Sequence, residues 1–339
     1  MTSLLPKELM RLLKMVGKKS NSLGYGAFIV GGTVRDLIRG AKNLDPSTRP
    51  EYVTGLAQGQ SRACRGMDLD IVVEGDAIRL GRLLAQDLSG TLVAHKRFGT
   101  CTVVTKKGLK IDLATARKEV YERPGALPTV EFSSIKDDLA RRDFTINAMA
   151  ISLNSGDFGR LVDFFGGGHD LAEGRIRVLH DKSFLDDPTR IFRCARFESR
   201  PGFSIEAHTL RLAKEAIKKA MPAKVSAQRI RNELILILKE EGRLKALERL
   251  DSLGVLRFIH PGLRLDKKIK SSLRSAGRGK KNSDDWLRYL IVLLGPLSYN
   301  TTLALCNDFS LRRSDKAKIL AAKKTQHAAR RTQHGTGKL

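Results

Sequence analysis

Asp68-Leu69-Asp70 runs straight into the apolar triplet Ile71-Val72-Val73. Residues i and i+2 of a strand lie on one side, so this spacing projects two carboxylates together. Such a pair repels unless a cation sits between its members. A hard cation with oxygen ligands, Mg²⁺, suits them, because it completes its shell with water and phosphate oxygens. Asp112 stands in Lys110-Ile111-Asp112-Leu113, out of phase with two apolar residues. From a neighbouring strand it could reach the same place as a third catalytic carboxylate. By itself an Asp-x-Asp also arises in surface turns.

Three basic motifs accompany the acids. In GGTVRD, residues 31–36, Gly31 and Gly32 follow the apolar run Phe28-Ile29-Val30. Paired glycines at a helix start let backbone N–H groups approach a phosphate, aided by the partial positive charge of the helix end. Arg35, one turn in, can add a charge-assisted bond. The same glycines would also serve a plain strand-to-helix turn. In ARRDFTINAMA, residues 140–150, one of Arg141 and Arg142 can pair with Asp143 while the other reaches a ligand. A salt-bridged helix start is the other reading. In LDDPTRIFRCARF, residues 185–197, Arg190, Arg193 and Arg196 recur at every third position, opposite Ile191, Phe192 and Ala195. Arginines stacked on one helical face repel, which a polyphosphate or RNA lying along them would relieve; a solvated basic face is the alternative. Asp187, one turn before Arg190, completes a base-reading pair. Its carboxylate can accept from the exocyclic amino group of cytosine or adenine while the guanidinium donates to the ring nitrogen beside it. Uracil and guanine would leave both groups unpaired.

The elements that must carry these residues are legible in part. Residues 27–165 read as α/β: strands at 28–30 and 71–73, a helix from Asp76 to Leu88 stopped by Ser89-Gly90, and a hairpin of 100–105 with 109–114 around Lys106-Lys107-Gly108. Residues 117–135 mix charges with Pro124, Gly125 and Pro128 and read as a loop. From about 170 the pattern is helical. Asp187 and Pro188 open one helix as cap and first residue; others run 204–220, 226–239 and 243–254. Residues 1–20 read as a short amphipathic helix, and 41–66 as a surface insertion without periodicity. Residues 312–339 hold nine Lys/Arg against one acid, which reads as a basic tail with a disordered end.

The whole composition bounds the partner. The 339 residues carry 62 Lys+Arg against 36 Asp+Glu, a net charge of +26, which favours a polyanion, nucleic acid above all. With 41% apolar residues the chain can fill real cores, and its length suits two or three domains. Four cysteines at no short spacing speak against a four-thiolate zinc module or a disulfide framework and for a reducing, cytoplasmic setting. No stretch of about 18 apolar residues is present to cross a membrane.

Taken in order, GGTVRD, MDLDIVVEGDA, KIDLATARKE, DDLARRDFTINAMA and DDPTRIFRCARF resemble the bacterial class II tRNA nucleotidyltransferase/poly(A) polymerase family, from about residue 24 to 262. VSAQRIRNELILIL and LERLDSLGVLRFIHPGL extend the likeness into the helical region. The resemblance implies an α/β head with a five-stranded sheet and flanking helices at 1–165, an all-α neck and body at 166–262, and a short basic helical tail at 263–339. It further implies that Gly31, Gly32 and Arg35 bind the triphosphate and that Asp68 and Asp70 hold Mg²⁺. Arg142 would sit at the sugar and phosphates, and Asp187 with Arg190 would read the base beside Arg193 and Arg196. The substrates would be tRNA, CTP and ATP, with C and/or A added to the RNA 3′ end without a template. Poly(A) synthesis, addition of CC only or A only, and a non-catalytic RNA-binding descendant stay open. The gap between GGTVRD and Asp68 is longer than the family's, so Asn43-Leu44-Asp45 stands near where the acidic motif would begin. The assignment falls on Asp68 and Asp70 because the strand IVVEGD follows them. From its composition and position, the 117–135 loop is expected to help switch between C and A.

Overall fold

The computed structural model describes residues 7–42, 68–120, 129–276 and 285–335. They form two compact units that divide between His180 and Asp181. The insertion expected at 41–66 lies outside the described residues except for its first two positions, and so does Asn43-Leu44-Asp45.

The first unit is built on a seven-stranded mixed sheet. Its strands are β1 (Gly26–Val30), β2 (Asp68–Glu74), β3 (Thr91–His95), β4 (Thr100–Val104), β5 (Lys110–Thr115), and the short β8 (Ala150–Ser152) and β9 (Leu161–Val162). A separate hairpin joins β6 (Arg117–Val120) to β7 (Thr129–Phe132). The sheet order is β3-β4-β5-β2-β1-β8-β9. It exceeds the expected five strands because two- and three-residue edge strands extend it beyond β1. β2 and β5 run parallel, whereas every other neighbouring pair is antiparallel.

Alternation along the strands decides what each face does. Ile29, Ile71, Val73, Cys101, Val103, Ile111 and Leu113 are buried on one face. Helix α1 (Lys7–Ser22) packs there against β1, and α3 (Ala77–Asp87) against β4 and β5. The approach of α3 is so close that a Cβ at Gly81 would stand 2.4 Å from the Cys101 sulfur. On the opposite face Phe28, Val30 and Val72 form a cluster with Ala116, Ala148, Ala150 and with Ile135 and Leu139 of α4 (Ile135–Ala140). That helix covers the β1–β2 half of the face, and the β4–β5 half carries the polar Thr100, Thr102 and Asp112. Helix α2 (Gly32–Lys42) leaves β1 directly after Gly31.

Residues 166–180 fold with this unit. Asp170, fully buried, accepts from the Thr145 hydroxyl at 2.6 Å and from Arg177 Nε at 2.8 Å, and the Thr145 N–H donates to the Arg177 carbonyl at 2.9 Å. These bonds place the division in contacts after His180 and not at 165.

The second unit is helical: α5 (Ser183–Asp186), α6 (Thr189–Glu198), α7 (Ala207–Lys218), α8 (Ala227–Lys239), α9 (Arg243–Ser252), α10 (Lys267–Ala276), α11 (Asp285–Leu293), α12 (Tyr299–Asp308) and α13 (Arg313–Gly335). The helix expected to open with Asp187 as cap and Pro188 as first residue begins one residue later, at Thr189, with Pro188 at its cap position. Asp187 still accepts from the Thr189 N–H at 2.9 Å. The basic tail is helical through Gly335. Its first half is anchored by the fully buried Ile319 and by the buried Lys323 ammonium, which donates to the carbonyls of Gly295 and Leu297 at 2.9 and 2.6 Å. The end beyond Gly335, expected to be disordered, lies outside the described residues.

Candidate active site

Parallel pairing of β2 with β5 sets Asp70 opposite Asp112, and antiparallel pairing of β5 with β4 sets Asp112 opposite Thr102. Directly paired residues share a face, so these three side chains form a row across the open half of the sheet. The Thr102 hydroxyl donates to Asp112 Oδ1. Asp68 begins β2, paired with Lys110 two positions before the Asp70–Asp112 pair; its side chain lies outside the described residues.

The row floors a cavity of about 430 Å³, lined also by Val30, Thr100, Ala114, Arg141 and Arg142. At its rim is the turn from β1 into α2. Gly31 adopts φ +76°, a left-handed conformation that glycine takes without steric cost. A Cβ there would lie 3.4 Å from Arg142 Nη1 and 3.7 Å from Asp70 Oδ2. The turn therefore places a bare backbone beside a guanidinium and a carboxylate, at the start of an 11-residue helix. This is the arrangement that lets a phosphate approach.

Arg35 is buried inside the first turn of α2. Its Nη1 donates to Asn147 Oδ1 at 2.8 Å and its Nε to Asp36 at 2.9 Å. Asn147 in turn donates to Asp143 at 3.0 Å. The partner of the paired arginines differs from the expectation. Asp138, fully buried, receives both: Arg141 on Oδ1 at 2.6 Å and Arg142 on Oδ2 at 3.0 Å. Asp143 accepts instead from the Phe144 N–H and Asn147. The motif DDLARRD carried the signal, since an acid four residues before an arginine shares its helical face. Thr102 left a weaker trace: it needed the β4–β5 register to be connected with Asp112.

In the second unit, Asp187 Oδ1 accepts from the Thr189 hydroxyl at 2.6 Å and pairs with Arg229 at 2.8 Å. Arg190 is buried, with Nη1 donating to the Ser183 hydroxyl at 2.7 Å. Repulsion along the arginine face, expected to be relieved by an outside polyanion or by solvent, is answered within the protein. Arg193 pairs with Glu233 at 3.3 Å, Arg196 with Glu233 and Glu240 at 3.7 and 3.8 Å, and Arg200 with Glu240 at 2.7 Å. Both acids lie on or directly after α8. Burial, only partly offset by these acids, pushes the Arg196 guanidinium below its ordinary value.

The donor set of the cavity suits a hard divalent cation. Asp70 and Asp112 stand side by side with a hydroxyl oxygen behind them. Among the described residues no group of three His, Cys, Asp or Glu side chains could hold a metal alone. Two carboxylates completed by water and substrate oxygens match Mg²⁺, which is seldom held by an all-protein cage. Cys101, next to Thr102 along β4, alternates to the opposite, apolar face of the sheet, where burial, then the negative charges of Asp76 and Asp112, push its thiol up to about 11.

Known proteins repeat this arrangement of elements. A family model described as the poly A polymerase head domain matches residues 27–177, and one described as a probable RNA- and SrmB-binding site of polymerase A matches residues 202–266. An A-adding tRNA nucleotidyltransferase of Geobacter sulfurreducens is 40% identical over 326 residues, covering 93% of this chain and 34% of that protein. One from Halalkalibacterium halodurans is 42% identical over 262 residues, covering 76% of this chain and 56% of that protein. The chain thus spans about a third to a little over half of these relatives' lengths. Among solved structures, a CCA-adding enzyme in an apo form superposes with TM-score 0.79 at 37% identity, over 96% of this chain and 73% of that one. A tRNA nucleotidyltransferase complexed with a primer tRNA and an incoming ATP analog gives 0.75 at 32%, over 96% and 87%.

Proposed function

The chain belongs to the bacterial class II tRNA nucleotidyltransferase/poly(A) polymerase family, and from that premise we propose that it extends the 3′ end of tRNA by C and/or A, drawn from CTP and ATP without a template. The observation that carries this reading is the Asp70–Asp112 pair facing the Gly31 turn across one cavity. The RNA 3′-hydroxyl gives up its proton to solvent and its oxygen bonds to the α-phosphorus, while the bond from that phosphorus to the bridging oxygen breaks and pyrophosphate departs. Gly31 and Gly32 offer backbone N–H groups to the triphosphate, and Arg142 brings a cation to the same place. Arg35, fixed by Asn147, stiffens the turn and adds positive charge behind it. Asp68 and Asp70 would hold Mg²⁺, with Asp112, oriented by Thr102, as the third carboxylate. Bound there, Mg²⁺ would lower the pKa of the attacking hydroxyl and offset charge on the departing pyrophosphate.

In this reading Asp187 and Arg190 select the base, and Arg193 and Arg196, paired with acids of α8 and its end, hold that helix in register. The expected head at 1–165 is extended by residues 166–180, which pack with it, so that the neck and body run from Asp181 to 262 and the tail covers 263–339. A restriction to A alone is the second reading; it draws support from the A-adding activity in the names of the Geobacter and Halalkalibacterium relatives.

One assay separates the readings. Purified protein is given tRNA ending at the discriminator base, or ending in CC, with CTP and ATP separately and together in Mg²⁺. Extension of both primers supports CCA addition, and extension of the CC-ended primer by ATP alone supports the A-only reading. No extension of either would overturn the enzymatic proposal. Asp70→Ala should abolish incorporation while tRNA binding survives.

A further inference from the structure

Four charged side chains of alternating sign run from the β6–β7 hairpin to the phosphate-binding turn. Glu119 of β6 pairs with Arg141 Nη1 at 2.9 Å. Arg141 closes on Asp138 Oδ1 through Nη2 at 2.6 Å and Nε at 3.0 Å. The other oxygen of Asp138 takes Arg142 Nη2 at 3.0 Å. Arg142 Nη1 then faces the Gly31 turn, 3.4 Å from where a Cβ would stand. Arg142 Nε is buried with no hydrogen-bond partner among the described residues. Asp138 is fully buried, and the side chains of Glu119 and Arg142 are only 10% and 18% exposed.

Geometry gives the chain a purpose beyond neutralisation. A buried carboxylate needs a cation, and Arg141 alone meets that need with two bonds to one oxygen. The second oxygen can then act on Arg142, whose only hydrogen bond to Asp138 is through Nη2. That bond anchors one edge of the guanidinium while Nη1 faces the turn. Glu119 holds Arg141 from the far side, so that Arg141 cannot swing to share the second oxygen.

We propose that Asp138 and Glu119 are positioning residues: through Arg141 they aim the Arg142 guanidinium at the triphosphate seated on the Gly31 turn. The proposal rests on the assignment of Arg142 to nucleotide binding.

Its test turns on a sign. Removing an acid near Arg142 makes the site more positive, so electrostatics alone would tighten nucleotide binding. Loss of positioning would weaken it. For Asp138→Asn, the nucleotide KM and the equilibrium Kd, measured with ATP and CTP in turn, should rise about tenfold, the worth of a charge-assisted hydrogen bond. KM for the tRNA primer should change by less than about twofold. Glu119→Gln should move nucleotide affinity in the same direction by less, and add little in the Asp138→Asn background, because residues of one chain are not additive. Thermal melts accompany each variant. Should Asp138→Asn fail to fold, the Glu119→Gln and Arg142→Lys double-mutant cycle carries the same test, with coupling expected. Tighter or unchanged nucleotide binding, or full additivity, overturns the proposal. An Arg142→Ala enzyme with unaltered nucleotide affinity overturns it too, by removing the reading beneath it. If Arg142→Ala weakens binding while both acid variants leave it intact, the relay alone fails.

Discussion

At Gly31, backbone conformation and chemistry make the same demand. A residue with a Cβ must hold φ +76° and sets a methyl against Arg142 and Asp70, where a phosphate would approach. Gly31→Ala should therefore cost about 1 kcal/mol or more of stability through strain. It should reduce nucleotide incorporation far more than that loss explains; a melting curve beside a single-turnover assay checks both. Cys101 makes a second prediction. Its ordinary value of 9.0 is raised to about 11 in the fold, so folding favours the protonated thiol. That contribution to stability is complete below 9.0 and is lost as the pH climbs from there through about 11. Site-resolved alkylation should find Cys101 unmodified in folded protein at about pH 8, below either value, and reactive after denaturation. The acidic and glycine motifs were legible in the sequence because strand phase and turn chemistry are local. Asp138 escaped as the partner of Arg141 and Arg142, although its spacing was visible, because Asp143 beside them offered an equally plausible local partner.

Among the elements, caps and strand phase were the reliable guides. Asp76 was expected to open a helix, and its Oδ1 accepts from the N–H groups of Ile78 and Arg79 at 2.9 and 3.0 Å. Asp76→Ala should lower stability by about 1 kcal/mol, the usual worth of such a cap, read as a lowered melting temperature. The β6–β7 hairpin corrects the loop expected over 117–135. Its strands are four residues each, and three of the four in β6 are charged. An exposed cross-strand pair, Lys118–Glu131 at 2.8 Å, adds to the backbone pairing, and the single Val130/Phe132 alternation of β7 is too short to announce a strand. The tip, with Pro124, Gly125 and Pro128, lies outside the described residues, so the expected role in switching between C and A rests on composition and position. The arginine repeat on α6 was legible as a shared face, but its counter-charges were not. Glu233 and Glu240 stand about forty positions away, on α8 and at its end, and only tertiary packing brings them near.

At the scale of the molecule, charge dominates. A net +26 predicts RNA binding that weakens steeply with salt. Arg312, just before helix α13, and Arg313 and Lys318 on it are exposed, while Ile319 and Lys323 bind the helix to its neighbours. Deleting everything after Leu311 would therefore remove packing as well as charge. Replacing Arg312, Arg313 and Lys318 by Gln separates the two: the logarithmic salt slope of tRNA binding should flatten by about one for each phosphate that is no longer neutralised. Identical slopes would show that this face does not touch the RNA. The parallel pairing of β2 with β5 carries a consequence for the order of assembly. A parallel neighbour is reached only after a crossover, here α3, β3 and β4, so Asp70 and Asp112 meet through a contact distant along the chain. During synthesis no partly made chain ending short of β5 holds the two carboxylates side by side. Their mutual repulsion therefore arises only once β5 has joined β2.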